Sequence, residues 1–270
     1  MKVRFTPLIL SFVLGALVAP LAAQAQEAGK VFRVGWIVAY TDPAILAAKR
    51  ATNAIPIVMV GSSDPVGAGF VASLGRPGGN VTGVTDAAAE IAGKQLELLK
   101  EVSPRASRVT ILFPSGGRSE PVLEQTRAAA QALGITLVLM EVWGRKDVER
   151  AFAAVTRDRT NALMVLSRGL MDYSSLNLIG QIARKHKVPV MSDEVKLTYE
   201  GGLMSYATSY APQARRAAQY ADRILKGSKP ADLPVEQPTE FELTLNLETA
   251  RALGLTIPPS VRLRANKVIE

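Results

Sequence analysis

Asp64–Thr85, DPVGAGFVASLGRPGGNVTGVT, is the stretch from which the fold can be read. It opens on an Asp-Pro pair, a frequent turn starter, and Gly75–Asn80 (GRPGGN) concentrates residues that reverse a chain. No Lys-Ser/Thr follows those glycines, so the segment reads as a turn and not as a phosphate loop. Short β-branched runs flank it, Pro56–Val60 before and Val81–Val84 within its end. Working outward, runs of the same kind recur at Val31–Tyr40, Val109–Phe113, Thr136–Glu141, Ala162–Leu166 and Val188–Ser192. Amphipathic stretches separate them, which is the pattern of a parallel α/β architecture. Ile91, Leu98, Leu99 and Val102 form one helical stripe; Val122, Thr126, Ala129, Ala130 and Leu133 form a second, and Val148, Phe152 and Val155 a third. A fourth is expected from Ala214, Ala217, Ala218, Ala221 and Leu225, stopped by Gly227. Pro-rich Lys229–Pro238 reads as an extended connection, and a further strand is expected near Glu240–Asn246.

Of 270 residues, 48% are hydrophobic and 21% charged, enough apolar content for a sizeable core. The net charge of +8 is carried by scattered Arg and Lys among acids, with no basic helix face or interleaved aromatics, so nucleic acid is not an expected partner. There is no cysteine and one histidine, His186, which excludes disulfides and disfavours a transition-metal centre. At the amino terminus Lys2 and Arg4 precede the apolar run Phe5–Leu21, and Ala23-Gln24-Ala25 has the small-x-small form of a signal-peptidase site. A signal peptide over residues 1–25 and a soluble protein in the periplasm are expected, with no cysteine for a lipid anchor; an uncleaved anchor is the plainer competitor.

In an open parallel sheet, ligands bind beyond the carboxyl ends of the strands, where loops and helix N-termini converge. That rule selects Thr41 and Asp42, then Ser62, Ser63 and Asp64, then Thr85 and Asp86. In the second half it selects Ser115 and Gly116, Ser167 and Arg168, Ser192 to Glu194, and Tyr206 with Ser209. A zwitterionic amino acid needs donors for its carboxylate and an acceptor for its ammonium, because a charge buried unpaired is strongly disfavoured. Thr41, Ser62 and Thr85 suit the carboxylate, Asp193 or Glu194 the ammonium, and Tyr206 can stack on a ring. The expected ligand-binding set is Thr41, Asp42, Ser62, Asp64, Thr85, Ser115, Ser167, Asp193, Glu194 and Tyr206, with no catalytic residue, metal or cofactor. Plainer roles compete: Thr41 and Asp42 as caps for a helix starting at Pro43, Asp64 as a turn residue, and one of the adjacent Asp193 and Glu194 as a solvated helix start.

Three blocks carry a family resemblance: Asp64–Thr85 itself, Gly201–Tyr206 (GGLMSY), and Ile224–Leu255 (ILKGSKPADLPVEQPTEFELTLNLETARALGL). They are similar to the ABC-transporter substrate-binding proteins of the tryptophan/tyrosine type, over most of the chain after residue 38. The resemblance implies a type I periplasmic-binding-protein-like α/β fold, two Rossmann-like lobes with a central cleft. It implies capture of a small ligand by hinge closure and delivery to an ABC permease driven by an ATPase subunit. Crossing segments are expected near Asp86–Ala88 and Ala207–Ala211. The first lobe would then comprise 26–86 with part of 207–270, and the second 87–206 with part of 239–270.

One departure stands out. Relatives carry a further helix, strand and helix where this chain runs directly from Val34-Gly35-Trp36-Ile37 into Val38-Ala39-Tyr40-Thr41-Asp42. Adjacent parallel strands need a crossover of about a dozen residues or more, so Val31–Tyr40 can supply one strand only, and a truncated first lobe is expected. Its exposed apolar surface either marks a degenerate, non-binding relic or is covered by a homodimer. An enzyme of Rossmann-like class is the remaining alternative, without GxGxxG after the first strand, a GxSxG elbow or a metal-ligand cluster. The sensor domain of a transcription regulator shares the fold but not the export signal.

Overall fold

The computed structural model describes residues 42–115, 119–157, 161–167 and 172–270. The expected signal peptide, the run Val31–Tyr40, Thr41, Gly116 and Arg168 lie outside the described residues. So does the join on which the shortened-lobe expectation rests.

Helix α1 (Asp42–Ala51) begins with Pro43 in its first turn and leads to β1 (Ile57–Ser62). After the turn-rich segment comes β2 (Val81–Thr85), which pairs with β1 in parallel, Ile57 opposite Val81 and Val60 opposite Val84. Every residue of both strands is buried, Ser62, Thr82 and Thr85 included, as in a sheet covered on both faces. One face, through Ile57, Met59 and Val81, meets Ile45 and Ala48 of α1, with Phe70, Val71 and Val235. Gly83 fixes the closeness of the two strands. Its φ is +138°, and a Cβ there would stand 2.0 Å from the Met59 carbonyl oxygen.

From β2 the chain enters α2 (Ala88–Val102) through Ala87, whose left-handed φ of 50° turns it sharply. The stripe Ile91, Leu98, Leu99 and Val102 is buried as its spacing predicts. A second sheet then builds from β3 (Arg108–Pro114), α3 (Glu120–Ala132), β4 (Thr136–Val142), α4 (Arg145–Arg157), β5 (Ala162–Val165), α5 (Tyr173–His186), β6 (Val190–Ser192), α6 (Val195–Tyr199) and β7 (Met204–Thr208). It is completed by β8 (Phe241–Asn246), α8 (Leu247–Leu253), α9 (Pro259–Arg264) and β9 (Lys267–Ile269), in the order β4-β3-β5-β6-β7-β8-β9. All its neighbours are parallel except β7 and β8. Leu96, Leu99, Val122, Ile111, Met164 and Leu245 share one core layer beneath α2, α3, α8 and α9. Val148, Phe152, Leu163, Val165, Ile179 and Leu197 form the layer on the opposite face with α4, α5 and α6.

Between β7 and β8 the chain returns to the first sheet. Helix α7 (Tyr210–Leu225) lays Ala217 and Tyr220 against Val58, Val60 and Val84. The connection after it runs along β2: Thr82 Oγ1 donates to the Leu233 carbonyl at 2.7 Å, Glu236 N to Gly83 O at 3.0 Å, and Thr85 N to Glu236 O at 2.9 Å. Arg216 clasps the Glu236 carboxylate, and Tyr220 Oη donates to the Pro234 carbonyl. The chain therefore passes between the sheets three times, at Asp86–Ala87, at Ser209 and at Gln237–Glu240. The expected extended connection, Lys229–Pro238, is the segment that runs along β2 into the third passage, and it opens on a single 3-10 turn at Pro230–Asp232.

Three sequence expectations need correction. The buried stripe of α7 is Gln213, Ala217 and Tyr220, while Ala214 and Ala218 are exposed and Leu225 is 42% exposed. An alanine stripe offers little area to bury, so the amphipathic Tyr and Gln decide which way the helix faces. The expected strand Val188–Ser192 starts at Val190. Pro189 has no N–H for the ladder, and Val188 N closes the preceding helix on Ala183 O at 2.9 Å. The short edge strand β9 was not expected from the sequence at all, three residues being too few to show a period.

Acid sensitivity follows from three carboxylates. Arg216 holds Glu236 below its ordinary 4.5; Lys267 and then Ser209 do the same for Glu242, and Arg264 with Ser260 for Glu101. Folded pKa values that are depressed contribute stability above the unfolded value and lose it as pH falls through the folded one. Thermal midpoints followed by circular dichroism are expected to be flat from neutral pH down to about pH 5 and to fall progressively below 4.5. Arg216→Met should flatten part of that fall.

Candidate ligand-binding cleft

The strand ends and helix starts converge where the chain crosses between the sheets. A small cavity of about 50 Å³ opens there, lined by Gly61, Asp86, Ala88, Asp193, Thr208 and Tyr210, among others. Asp86 follows β2, and Asp193 follows β6 of the other sheet, so two carboxylates from different sheets face one space.

Both are held by the backbone around them. Asp193 Oδ1 accepts from Ser167 N at 2.8 Å and Ser167 Oγ at 3.0 Å, which fixes the carboxylate at the end of β5 and β6. Asp86 Oδ1 accepts from Ala88 N at 2.9 Å, and Asp86 N donates to Ser62 O at 3.1 Å. The left-handed Ala87 between them is a strained position of the kind that concentrates at binding sites, costing on the order of 1–2 kcal/mol. Helix α2 begins in this cavity and α7 beside it, and α7 has no side-chain cap, so orphan N–H groups and positive helix ends face the region. Ser63 Oγ and Ser119 Oγ meet at 3.1 Å, linking the end of β1 to the start of α3.

The remaining sequence-selected residues divide by what they touch. Ser62 Oγ donates to Asp42 Oδ1 at 2.7 Å, tying β1 to the start of α1. Asp64 accepts from Gly67 N at 2.8 Å in the turn after β1, and Ser115 N donates to Val142 O at 3.0 Å at the end of β3. Glu194 is buried as the cap of α6, accepting from Lys196 N at 3.3 Å, and does not line the cavity. Tyr206 packs into the core with its ring 5.8 Å from that of Phe241, since strand alternation places it with Met204 beneath α2. Tyr210, Thr208 and Gln213, absent from the expected set, take the cavity wall instead; Tyr210 is the aromatic at hand for a ligand. The signal for Thr208 and Tyr210 was their place in the expected crossing Ala207–Ala211, whereas Gln213 lies beyond it.

Thr85 is buried and its Oγ1 has no hydrogen-bond partner. An unsatisfied buried hydroxyl costs about 1–3 kcal/mol, so Thr85→Val is expected to leave the ligand-free thermal midpoint unchanged or to raise it by a few degrees in calorimetry. Among the described residues no group of three or more His, Cys, Asp or Glu can hold a metal ion, and no helix is long and apolar enough to cross a membrane.

The family model described as ABC transporter substrate binding protein matches residues 21–269. The chain belongs to that family. A tyrosine-binding protein of Clostridioides difficile is 29% identical to this substrate-binding protein over 220 residues, 81% of this chain and 63% of the relative. The chain thus spans less than two thirds of the length of the curated relatives it matches. Among solved structures, an ABC domain from Streptococcus pneumoniae in complex with L-Trp superposes with a TM-score of 0.76 at 29% identity, covering 94% of this chain and 84% of that one. A conserved domain protein from Vibrio cholerae gives 0.77 at 26%, covering 95% and 83%. The fold is accordingly α/β of the type I periplasmic-binding-protein class.

Proposed function

We propose that this substrate-binding protein captures an α-amino acid between two lobes in the periplasm and delivers it to the permease of an ABC import system. The observation that carries the reading is the pair Asp86 and Asp193, set in one cavity at the joint between the sheets. Two carboxylates favour a cationic group between them, and the N-terminal turn of α2 beside them suits an anion. An α-amino acid, with its ammonium and carboxylate on one carbon, carries both charges at that spacing. The tyrosine and L-Trp named for the relatives support an aromatic one.

In this reading the first lobe is the β1–β2 sheet with α1 and α7, shortened at its amino-terminal side, and the second lobe is the larger sheet with 239–270. Ligand contacts made only in the closed form shift the population towards it, and the closed form docks on the permease, whose ATPase subunit drives release. A second copy covering the shortened lobe is the associated quaternary proposal; a monomer at micromolar concentration in analytical ultracentrifugation would remove it. The test of function is thermal unfolding of the purified chain against amino acids, sugars and small organic acids. A ligand at a hundredfold excess over its dissociation constant adds about 2.7 kcal/mol of stability. A shift confined to amino acids supports the reading. A cooperative transition that no amino acid moves rejects it in favour of a non-binding relic or another solute class.

A further inference from the structure

The bond between Ser63 Oγ and Ser119 Oγ, 3.1 Å long, joins loops that belong to different sheets. Ser63 follows the carboxyl end of β1 in the first sheet, and Ser119 stands between β3 of the second sheet and α3. What flanks each serine holds it in place. Ser62 Oγ is tied to Asp42, and Asp64 accepts from Gly67 N, so the backbone at Ser63 is anchored on both sides. Ser119 is the N-cap residue of α3, and its carbonyl accepts from Leu123 N at 3.0 Å.

A serine at that position ordinarily turns its hydroxyl to the N–H of the second or third helical residue. Here the second is Pro121, which has no N–H to offer. The Ser119 side chain makes no capping bond, and its hydroxyl goes to Ser63 instead. Neither serine lines the cavity that Asp86 and Asp193 share. The pair therefore bears on how closely the two sheets approach, and not on what lies between them.

We infer that Ser63 and Ser119 are positioning residues, a clasp between the lobes that forms only when they are closed and biases the protein towards its closed form. The inference rests on the two-lobe reading above. Its size follows from the chemistry. A hydrogen bond between two neutral hydroxyls is worth about fivefold in an equilibrium, whereas carrying a population from one extreme to the other takes about 10⁴-fold. The clasp sets the resting balance and leaves contacts with the ligand to complete closure.

The chain has no cysteine, so spin labels can be placed at will, at Arg50→Cys on α1 and Lys146→Cys on α4, both exposed. Double electron-electron resonance on the purified chain, with no amino acid added, should resolve a short and a long distance. Ser63→Ala and Ser119→Ala are each expected to raise the long-to-short ratio about fivefold. The double substitution should go no further than either alone, since both remove the same bond. In a separate variant without labels, Ser63→Cys with Ser119→Cys should cross-link under mild oxidation and be released by reductant. A distance distribution that neither alanine shifts, or a cysteine pair that does not cross-link, overturns the clasp. A shift from Ser119→Ala alone also overturns it, assigning that serine to helix capping. No ligand enters these measurements, so their failure leaves the amino-acid reading intact, and a protein that binds no amino acid leaves the clasp intact.

Discussion

Asp193→Asn is expected to weaken amino-acid binding by about 10²–10³-fold while moving the ligand-free thermal midpoint by only a few degrees. Asparagine keeps the Oδ1 acceptor that Ser167 N and Oγ bond at 2.8 and 3.0 Å, so the local frame between β5 and β6 survives. What it removes is the negative charge. Taking one partner from a buried ion pair costs about 3–5 kcal/mol, because the other is left uncompensated, and each 1.4 kcal/mol is about tenfold in affinity. Calorimetric titration of the variant beside the unmodified chain reads this directly. A loss below about fivefold would mean that the ammonium sits elsewhere, and Asp86→Asn would then be the next substitution to make. Asp86 is the second choice because it also holds the first N–H of α2, so its replacement mixes binding with helix stability.

Gly83→Ala is expected to cost about 4 kcal/mol of stability, the large end of single-residue effects, and to abolish binding with it. Two penalties combine. At φ +138° an L side chain is strained by about 1–3 kcal/mol. A methyl group there would also meet Met59 backbone atoms at 2.0, 2.7 and 2.9 Å, and backbone cannot step aside as a flexible side chain does. Relief requires separating β1 from β2, which breaks the burial of Val58, Val60 and Val84 against Tyr220. Because β2 leads straight into Asp86, the cavity is distorted along with the sheet. Chemical denaturation should show a midpoint far below that of the unmodified chain. A change under about 1 kcal/mol would show that the two strands can part at little cost.

What the sequence made legible, and what it hid, follow from the range of the signals involved. Strands Ile57–Ser62, Val81–Thr85, Arg108–Pro114 and Thr136–Val142 were readable because they are buried on both faces or flanked by clear turns, so that β-branched residues run together. The rule that ligands meet strand ends selected Asp193 and its neighbourhood, and Ser167 proved to be the residue that orients it. The same rule selected Tyr206, whose ring was expected to stack on the ligand, yet strand parity sends that ring into the core. Parity depends on which face of β7 the α2 helix covers, and the 111-residue separation of the Gln95–Tyr206 hydrogen bond places that information beyond any local window. The exposed faces of Ala214 and Ala218 escaped for the same reason: only the partner sheet, formed by β1 and β2, decides how α7 is turned.

The return of the chain to its first sheet also sets a clock. Val58, Val60 and Val84 acquire their covering layer only when α7 and Leu233 arrive, and the bond from Thr82 to Leu233 joins residues 151 positions apart. At roughly 5–20 residues per second of synthesis, that gap lasts about 8–30 s. During it an apolar, β-branched surface belonging to the start of the protein waits unsealed, exposed to whatever else is sticky nearby. The last third of the chain therefore decides whether the first third survives its own synthesis.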